Sequence, residues 1–256
     1  MECLESQRIG NVTIIKLDNG PTNPIGPDLV RELSHEIQRL AEDENSRSIV
    51  LSSTSSKFFS IGLSLPELVP MSRDEISQFF HSFNQLCIDL YSLQKPTISA
   101  IDGHAIAGGC ILSLCTDYRF GASIDGSGKM KLMGLNEIKL GIPVPFPADR
   151  ILTSIVGSST ARNMMETGNF YSLESSSSMG LVDELHPQDI LLEKAIEKAK
   201  EIGASPQPGY RMIKQNRIDP VIESINRHRT DKQQYLIDCW FLPETRVRLK
   251  EALEKF

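Results

Sequence analysis

An α/β fold, with helices laid against sheets rather than bundled alone, is what this chain of 256 residues predicts. Residues 12–52 alternate strand, helix and strand. Lys95 to Asp117, KPTISAIDGHAIAGGCILSLCTD, repeats the order as strand, glycine-rich turn and helix. Beyond Gly209 only helical periodicity is found, which predicts a helical tail packed on a neighbour or back on the core.

Taken in order, Val12 to Leu17 is β-branched and apolar, and the Asn19-Gly20-Pro21 cluster after it marks a turn. Pro27 opens a helix whose Leu29, Val30, Leu33, Ile37 and Leu40 share one face, and Ser48 to Ser52 is a buried strand. Ser72 and Glu75 form a capping-box pattern. The helix they open runs to about Leu93, with Ile76, Phe79, Phe80, Phe83, Leu86 and Leu90 on its buried side. Thr97 to Ile101 is the central strand. Tyr118 to Ala122 and Lys129 to Met133 are strands around a Gly/Ser turn. The GSGK at Gly126 to Lys129 lacks both the upstream glycine and the following Ser/Thr of a phosphate loop, so it is a loop tip. Two short helices follow at Ser158 to Thr167 and Leu173 to Met179, then a strand at Val182 to Leu185 and a helix at Ile190 to Ile202. Gly203 to Gly209, with Pro206 and Pro208, is the best boundary in the chain. Helices are expected beyond it at about 209–217, 220–240 and 243–255.

Bulk properties narrow the function. With 40% apolar and 23% charged residues the composition is that of an ordinary soluble protein. A net charge of −6, with no Lys/Arg run interleaved with aromatics, argues against a nucleic-acid partner. Five cysteines, an odd number without a C-x-x-C pair, read as reduced and mostly buried thiols, and no metal site is expected. There is no bilayer-length apolar run, MECLESQRIG has no signal character, and LEKF is no known address, so a cytoplasmic protein without a membrane partner is expected.

Three stretches have chemical potential. Gly62, inside the apolar run Phe58 to Leu65, signals an unusual backbone angle or a close approach, though a simple strand end gives the same pattern. The Gly108-Gly109 pair at a helix start leaves amide N–H groups free to hold an oxyanion; strand-Gly-Gly-helix junctions also serve close packing. Glu137, in LNEIKLGIP, is a carboxylate between apolar neighbours. If desolvated, its pKa rises toward the range of a useful base, whereas many glutamates at helix starts simply face solvent.

Together FFSIGLSL (Phe58 to Leu65), AIDGHAIAGGCILSLCTD (Ala100 to Asp117) and LNEIKLGI (Leu135 to Ile142) resemble, in order and spacing, the crotonase (enoyl-CoA hydratase/isomerase) superfamily. The similarity extends to GLVDEL at Gly180 to Leu185 and to the terminal EALEKF. The resemblance implies a spiral of ββα repeats over residues 1–203 that binds acyl-CoA, and a helical region over 204–256 serving oligomerisation and active-site cover. It also implies homotrimers or dimers of trimers, and coenzyme A as part of the substrate rather than a separate cofactor. Carried over by motif, the amides of Leu63 and Gly108 are the oxyanion donors. Ile61, Gly62, Ser64, Leu65 and Gly109 belong to the substrate-binding loops, and Ile111, Leu135 and Phe146 are candidate apolar lining. Glu137 matches one of the two glutamates of the family's hydratases, but the position of the other is Ile111. A single carboxylate is the pattern of the Δ3,Δ2-enoyl-CoA isomerases. The resemblance therefore implies an isomerase, with a hydratase, another crotonase-type enzyme or a non-catalytic acyl-CoA-binding homologue as alternatives. Ser64 departs from the aspartate usual after the first donor. Lys57 and Lys139 could meet CoA phosphates or face solvent, His104 is expected to be structural, and Cys110 and Cys115 are expected in the core.

Overall fold

The computed structural model describes residues 3–123 and 130–254. The GSGK loop and Lys129 lie outside the described residues, as does the final Phe256.

The chain opens with a hairpin, β1 (Leu4–Ile9) and β2 (Val12–Leu17), turned at Gly10 in the left-handed region (φ +64°). Sequence pattern missed β1 because five of its six residues are exposed, as suits an edge strand without an apolar face. Then come β3 (Pro24–Ile25), α1 (Pro27–Glu42), β4 (Ser48–Ser53), β5 (Phe58–Ser60), β6 (Gly62–Leu63), α2 (Leu65–Leu68) and α3 (Arg73–Ser92). Helix α3 starts on the expected capping box, in which Ser72 and Glu75 each bond the other's backbone amide. The centre of the chain is β7 (Thr97–Ile101), β8 (His104–Ile106), α4 (Gly108–Leu114), β9 (Tyr118–Ala122) and β10 (Leu132–Gly134). A 3₁₀ turn (Glu137–Leu140) leads to α5 (Phe146–Thr167), β11 (Tyr171–Ser172), α6 (Leu173–Ser178), β12 (Glu184–His186), α7 (Leu191–Gly203), α8 (Gln207–Trp240) and α9 (Pro243–Leu253).

Strands β1-β2-β4-β7-β9-β12 form one sheet, parallel except at the β1/β2 edge, and β11-β10-β8-β5 form a second. A small β3-β6 pair completes the set. Strands β4, β7 and β9 of the large sheet are followed respectively by β5, β8 and β10 of the small one and then by helical segments. That recurring unit of two strands and a helix builds the spiral. Parallel strands need cover on both faces. Ile14, Val50 and Ile98 pack under Leu191, Ala195 and Ala199 of α7, while Ile15, Ile49 and Leu51 join the larger core with α1 and α3.

Two helical spans exceed what the sequence predicts. In α5 the expected Ser158 to Thr167 helix is the second half, and a first half from Phe146 was not predicted. Its Pro147 lies in the first turn, where a missing N–H costs nothing, and a break at Gly157 (φ +76°, ψ 163°) separates its halves. Helix α8 runs unbroken through Pro220, where separate helices were expected. An interior proline costs on the order of 3 kcal/mol in isolation, which is offset by burial of Ile218, Ile225, Leu236, Ile237 and Trp240. Gly209 falls inside the first turn of α8, and β10 and β12 are shifted toward the C-terminus of the predicted strands. No strand occurs in 204–254, and α8 packs back on α3 and α5 of its own core. Among the described residues no helix is long and apolar enough to cross a membrane.

Candidate active site

The two glycine turns meet. Gly62 has φ +98°, and a Cβ there would lie 2.9 Å from the Ile106 carbonyl oxygen and 3.0 Å from the Gly108 nitrogen. A side chain would therefore force the turns apart. In this strand Ser64 N–H donates to the Ile25 carbonyl (2.9 Å). Successive strand amides point to opposite sides, so the neighbouring Leu63 N–H faces away from β3.

The second turn is held just as closely. A Cβ on Gly109 would sit 2.4 Å from the Ser60 carbonyl oxygen, so only glycine fits. Ala107 adopts φ +47°, rare for a residue with a Cβ, immediately before α4. The first bond of α4 runs from Ile111 N–H to the Ala107 carbonyl (2.9 Å), which leaves the amides of Gly108, Gly109 and Cys110 without helical partners.

Glu137 opens the 3₁₀ turn that Gly141 ends in the left-handed conformation (φ +81°), and the Glu137 carbonyl accepts from Ile142 N–H (3.1 Å). Its side chain is buried, and Oε2 has no hydrogen-bond partner. Burial pushes the carboxyl up to about 7, against the smaller lowering effect of the Glu137 and Asn136 backbone amides.

A cavity of about 410 Å³ joins these parts. Of the residues the motifs single out, Ile61, Leu63, Leu65, Ile111 and Glu137 line it. Gly62, Gly108 and Gly109 form the turns behind its wall, and Ser64 is the buried residue preceding α2. Two expectations are corrected. Leu135 is fully buried in the core and is not on the wall. Phe146 is not on the wall either, because as first residue of α5 it turns outward: its ring meets His228 edge-on (6.2 Å) and lies beneath Arg150 and Lys232. Cys110 and Cys115 are in the core as expected.

The wall also holds residues that the sequence did not assign to it. Phe80 and Phe83 were legible as the buried side of α3, but helical periodicity cannot separate a core face from a cavity wall. Trp240 and Ala252 arrive from the tail helices, with no local signal. His104 lines the cavity too. Its Nδ1 accepts the Leu132 N–H (3.0 Å), so the neutral ring carries its proton on Nε2, and burial with help from Lys57 and Lys131 lowers its pKa. Lys57 and Lys139 stand over the rings of Phe58 and Phe170, both lining residues. Among the described residues Glu137 is the one carboxylate in the lining, and no cluster of His, Cys, Asp and Glu is arranged to hold a metal.

Comparison with known proteins finds a matching family profile, relatives and solved structures. The family profile described as enoyl-CoA hydratase/isomerase matches residues 7–239. Enoyl-CoA delta isomerase 1, mitochondrial, of Mus musculus is 30% identical over 192 residues, covering 75% of this chain and 65% of that protein. The Homo sapiens protein of the same name is 28% identical over 203 residues, covering 79% and 66%. The matches thus span about two thirds of these relatives' length, and both relatives are named as mitochondrial, unlike the cytoplasmic location expected from sequence. The crystal structure of human mitochondrial delta3-delta2-enoyl-CoA isomerase superposes with a TM-score of 0.92 at 24% identity, covering 99% of this chain and 98% of that one. An enoyl-CoA hydratase from Bacillus anthracis gives 0.79 at 24% identity, covering 99% and 96%. At such identities the likeness shows a shared fold.

Proposed function

The chain belongs to the enoyl-CoA hydratase/isomerase family, and from that premise we propose that it moves the double bond of a 3-enoyl-CoA thioester to position 2, with Glu137 as its single acid/base. The fold is the crotonase fold. The observation that carries the reading is the pairing of one buried carboxylate, Glu137, with Ile111 at the position of the hydratases' second glutamate, both on one cavity wall.

The ionised Glu137 takes a proton from C2. The electrons move into the thioester, giving a dienolate whose negative oxygen is held by the amides of Leu63 and Gly108. Donors already in place need not reorganise as the charge develops, and each contributes on the order of 3 kcal/mol in comparable steps. The protonated Glu137 returns the proton to C4, which leaves the double bond between C2 and C3. A carboxyl with a pKa of about 7 can perform both transfers near neutral pH. Apolar walls at Ile111, Leu63 and Phe80, with no second carboxylate in the described lining to activate a water, disfavour hydration.

The same reading makes acyl-CoA the partner, with no separate cofactor, Lys57 and Lys139 as candidates for its phosphates, and a homotrimer or dimer of trimers as the assembly. Glu137→Gln tests it. The variant should lose 3-enoyl-CoA isomerisation by about 100-fold or more while binding acyl-CoA as the wild type does. Undiminished turnover would remove Glu137 from the chemistry. Rapid conversion of 2-enoyl-CoA to 3-hydroxyacyl-CoA would instead make the protein a hydratase, and acyl-CoA binding without turnover of any enoyl isomer would make it a binding protein.

A further inference from the structure

The cavity lining divides by exposure. Phe170 is 38% exposed and has the ammonium of Lys139 5.6 Å from its ring centre; Phe58 carries Lys57 in the same way at 5.4 Å. Elsewhere on the wall Phe83 and Trp240 are 0% exposed and Phe80 1%. For a ligand with an anionic head and an apolar tail, the lysines suit the head and the buried aromatic part of the wall, the floor of the site, suits the tail.

That floor is formed where the C-terminal tail meets the core. Helix α3 supplies Phe80 and Phe83, and α8 supplies Trp240 as its last residue. The indole meets the Phe80 ring edge-on (5.6 Å, 72°). Its Nε1–H is buried without a hydrogen-bond partner, so trimming the ring forfeits no hydrogen bond, though it does lose core packing. The whole cavity, about 410 Å³, is near the lower end of the roughly 300–1,000 Å³ found for small-molecule pockets. It has to hold the thioester as well as the tail.

We propose that Trp240 is the chain-length stop of this site: the acyl tail ends against the indole, and the floor admits short- and medium-chain thioesters while rejecting long ones. The inference rests on the acyl-CoA reading of the cavity and adds the substrate class and the residue that sets it.

Trp240 is the only tryptophan in the chain, so its fluorescence reports the arrival of the tail. The full-length protein is titrated with free CoA and with saturated straight-chain thioesters from acetyl-CoA to palmitoyl-CoA. Calorimetry follows binding in parallel. These ligands carry no double bond, so the readout does not depend on isomerisation. Free CoA and acetyl-CoA should bind without altering the emission, a medium-length chain should be the first to change it, and palmitoyl-CoA should bind about tenfold or more weaker than the best medium chain. Trp240→Ala should abolish that preference and Trp240→Phe should reduce it. If calorimetry shows saturation while wild-type emission stays constant at every length, the stop is not Trp240; an unchanged length preference in a folded Trp240→Ala variant overturns it equally. Should Trp240→Ala fail to fold, the wild-type emission series decides alone. Absence of binding by every thioester would overturn the acyl-CoA reading itself, and this inference with it.

Discussion

Ala107 donates its backbone N–H to the carbonyl of Gly134 at 2.8 Å, and this bond ties the turn that carries Gly108 to the segment that carries Glu137. Strands β8 and β10 run parallel with Ile106 opposite Gly134, so donor turn and base leave adjacent strand ends. Their separation is set by sheet geometry rather than by loops.

The glycine turns give the first prediction. On Gly109 a Cβ would meet the Ser60 backbone at 2.4 Å, whereas on Gly209, in α8, it would meet nothing within 4 Å. Gly109→Ala should destabilise the fold by about 1–3 kcal/mol, the usual cost of overpacking. Gly209→Ala should stabilise it by about 0.4–1 kcal/mol through helix propensity and a less free unfolded chain. Urea unfolding of the two variants beside the wild type measures both signs.

Glu137 gives a prediction in pH. Its pKa rises from the ordinary 4.5 to about 7 through burial, so kcat/KM for a 3-enoyl-CoA should climb with pH through about 7 and level off as the base ionises. Stability runs the other way. A raised carboxyl pKa favours the protonated folded protein, so the contribution is complete below about pH 4.5 and is lost as pH rises to about 7. Glu137→Gln should therefore gain stability over the wild type at pH 8, by at most about 3 kcal/mol at 1.36 kcal/mol per pKa unit. At pH 4 the gain should vanish. Thermal denaturation at the two pH values checks this.

Ile111 is 1% exposed on the same wall as Glu137. Ile111→Glu would place a second carboxyl group in that cavity, and like charges there disfavour ionising both. The acid limb of any remaining isomerisation should move to higher pH, and the fold should lose on the order of 1–3 kcal/mol. A pH-rate profile with an unmoved limb would mean that the two positions do not interact.

The tail is held by a buried ion pair. Lys214 Nζ lies 2.8 Å from Asp117 Oδ2, their side chains 1% and 5% exposed, with Arg217 and Tyr210 on the same carboxylate. Burial alone would raise the Asp117 pKa, but Lys214 and Arg217 outweigh it and hold the carboxyl below its usual range. Lys214→Met removes one of several partners of that carboxylate and should cost about 1–3 kcal/mol. Faster proteolysis within α8 should accompany the loss.

Much of this architecture was legible in the sequence. The capping box at Ser72 rests on an interaction within three residues, while the buried run at Thr97 and the glycine turns are visible by residue type alone, although the contacts that require the glycines, Gly62 against Ile106 and Gly109 against Ser60, are long-range. The edge strand β1, the continuity of α8 through Pro220 and the early start of α5 were not legible, because each depends on what packs against it. The site divides in the same way. Glu137 and the two turns stood out by residue type. Trp240, more than a hundred residues from Glu137, reaches the cavity only because α8 folds back over α3. Phe146 and Leu135 show the converse, since apolar neighbours of a motif need not face the same space.

The most direct measurement of the central claim is isomerisation of an unlabelled 3-enoyl-CoA in D2O, with the isotope at C4 of the product read by NMR and mass spectrometry. One carboxyl that carries a proton from C2 to C4 in a water-poor cavity should leave protium at C4 in most product molecules. Deuterium at C4 in nearly every molecule would contradict the account, because the proton delivered there would have come from solvent.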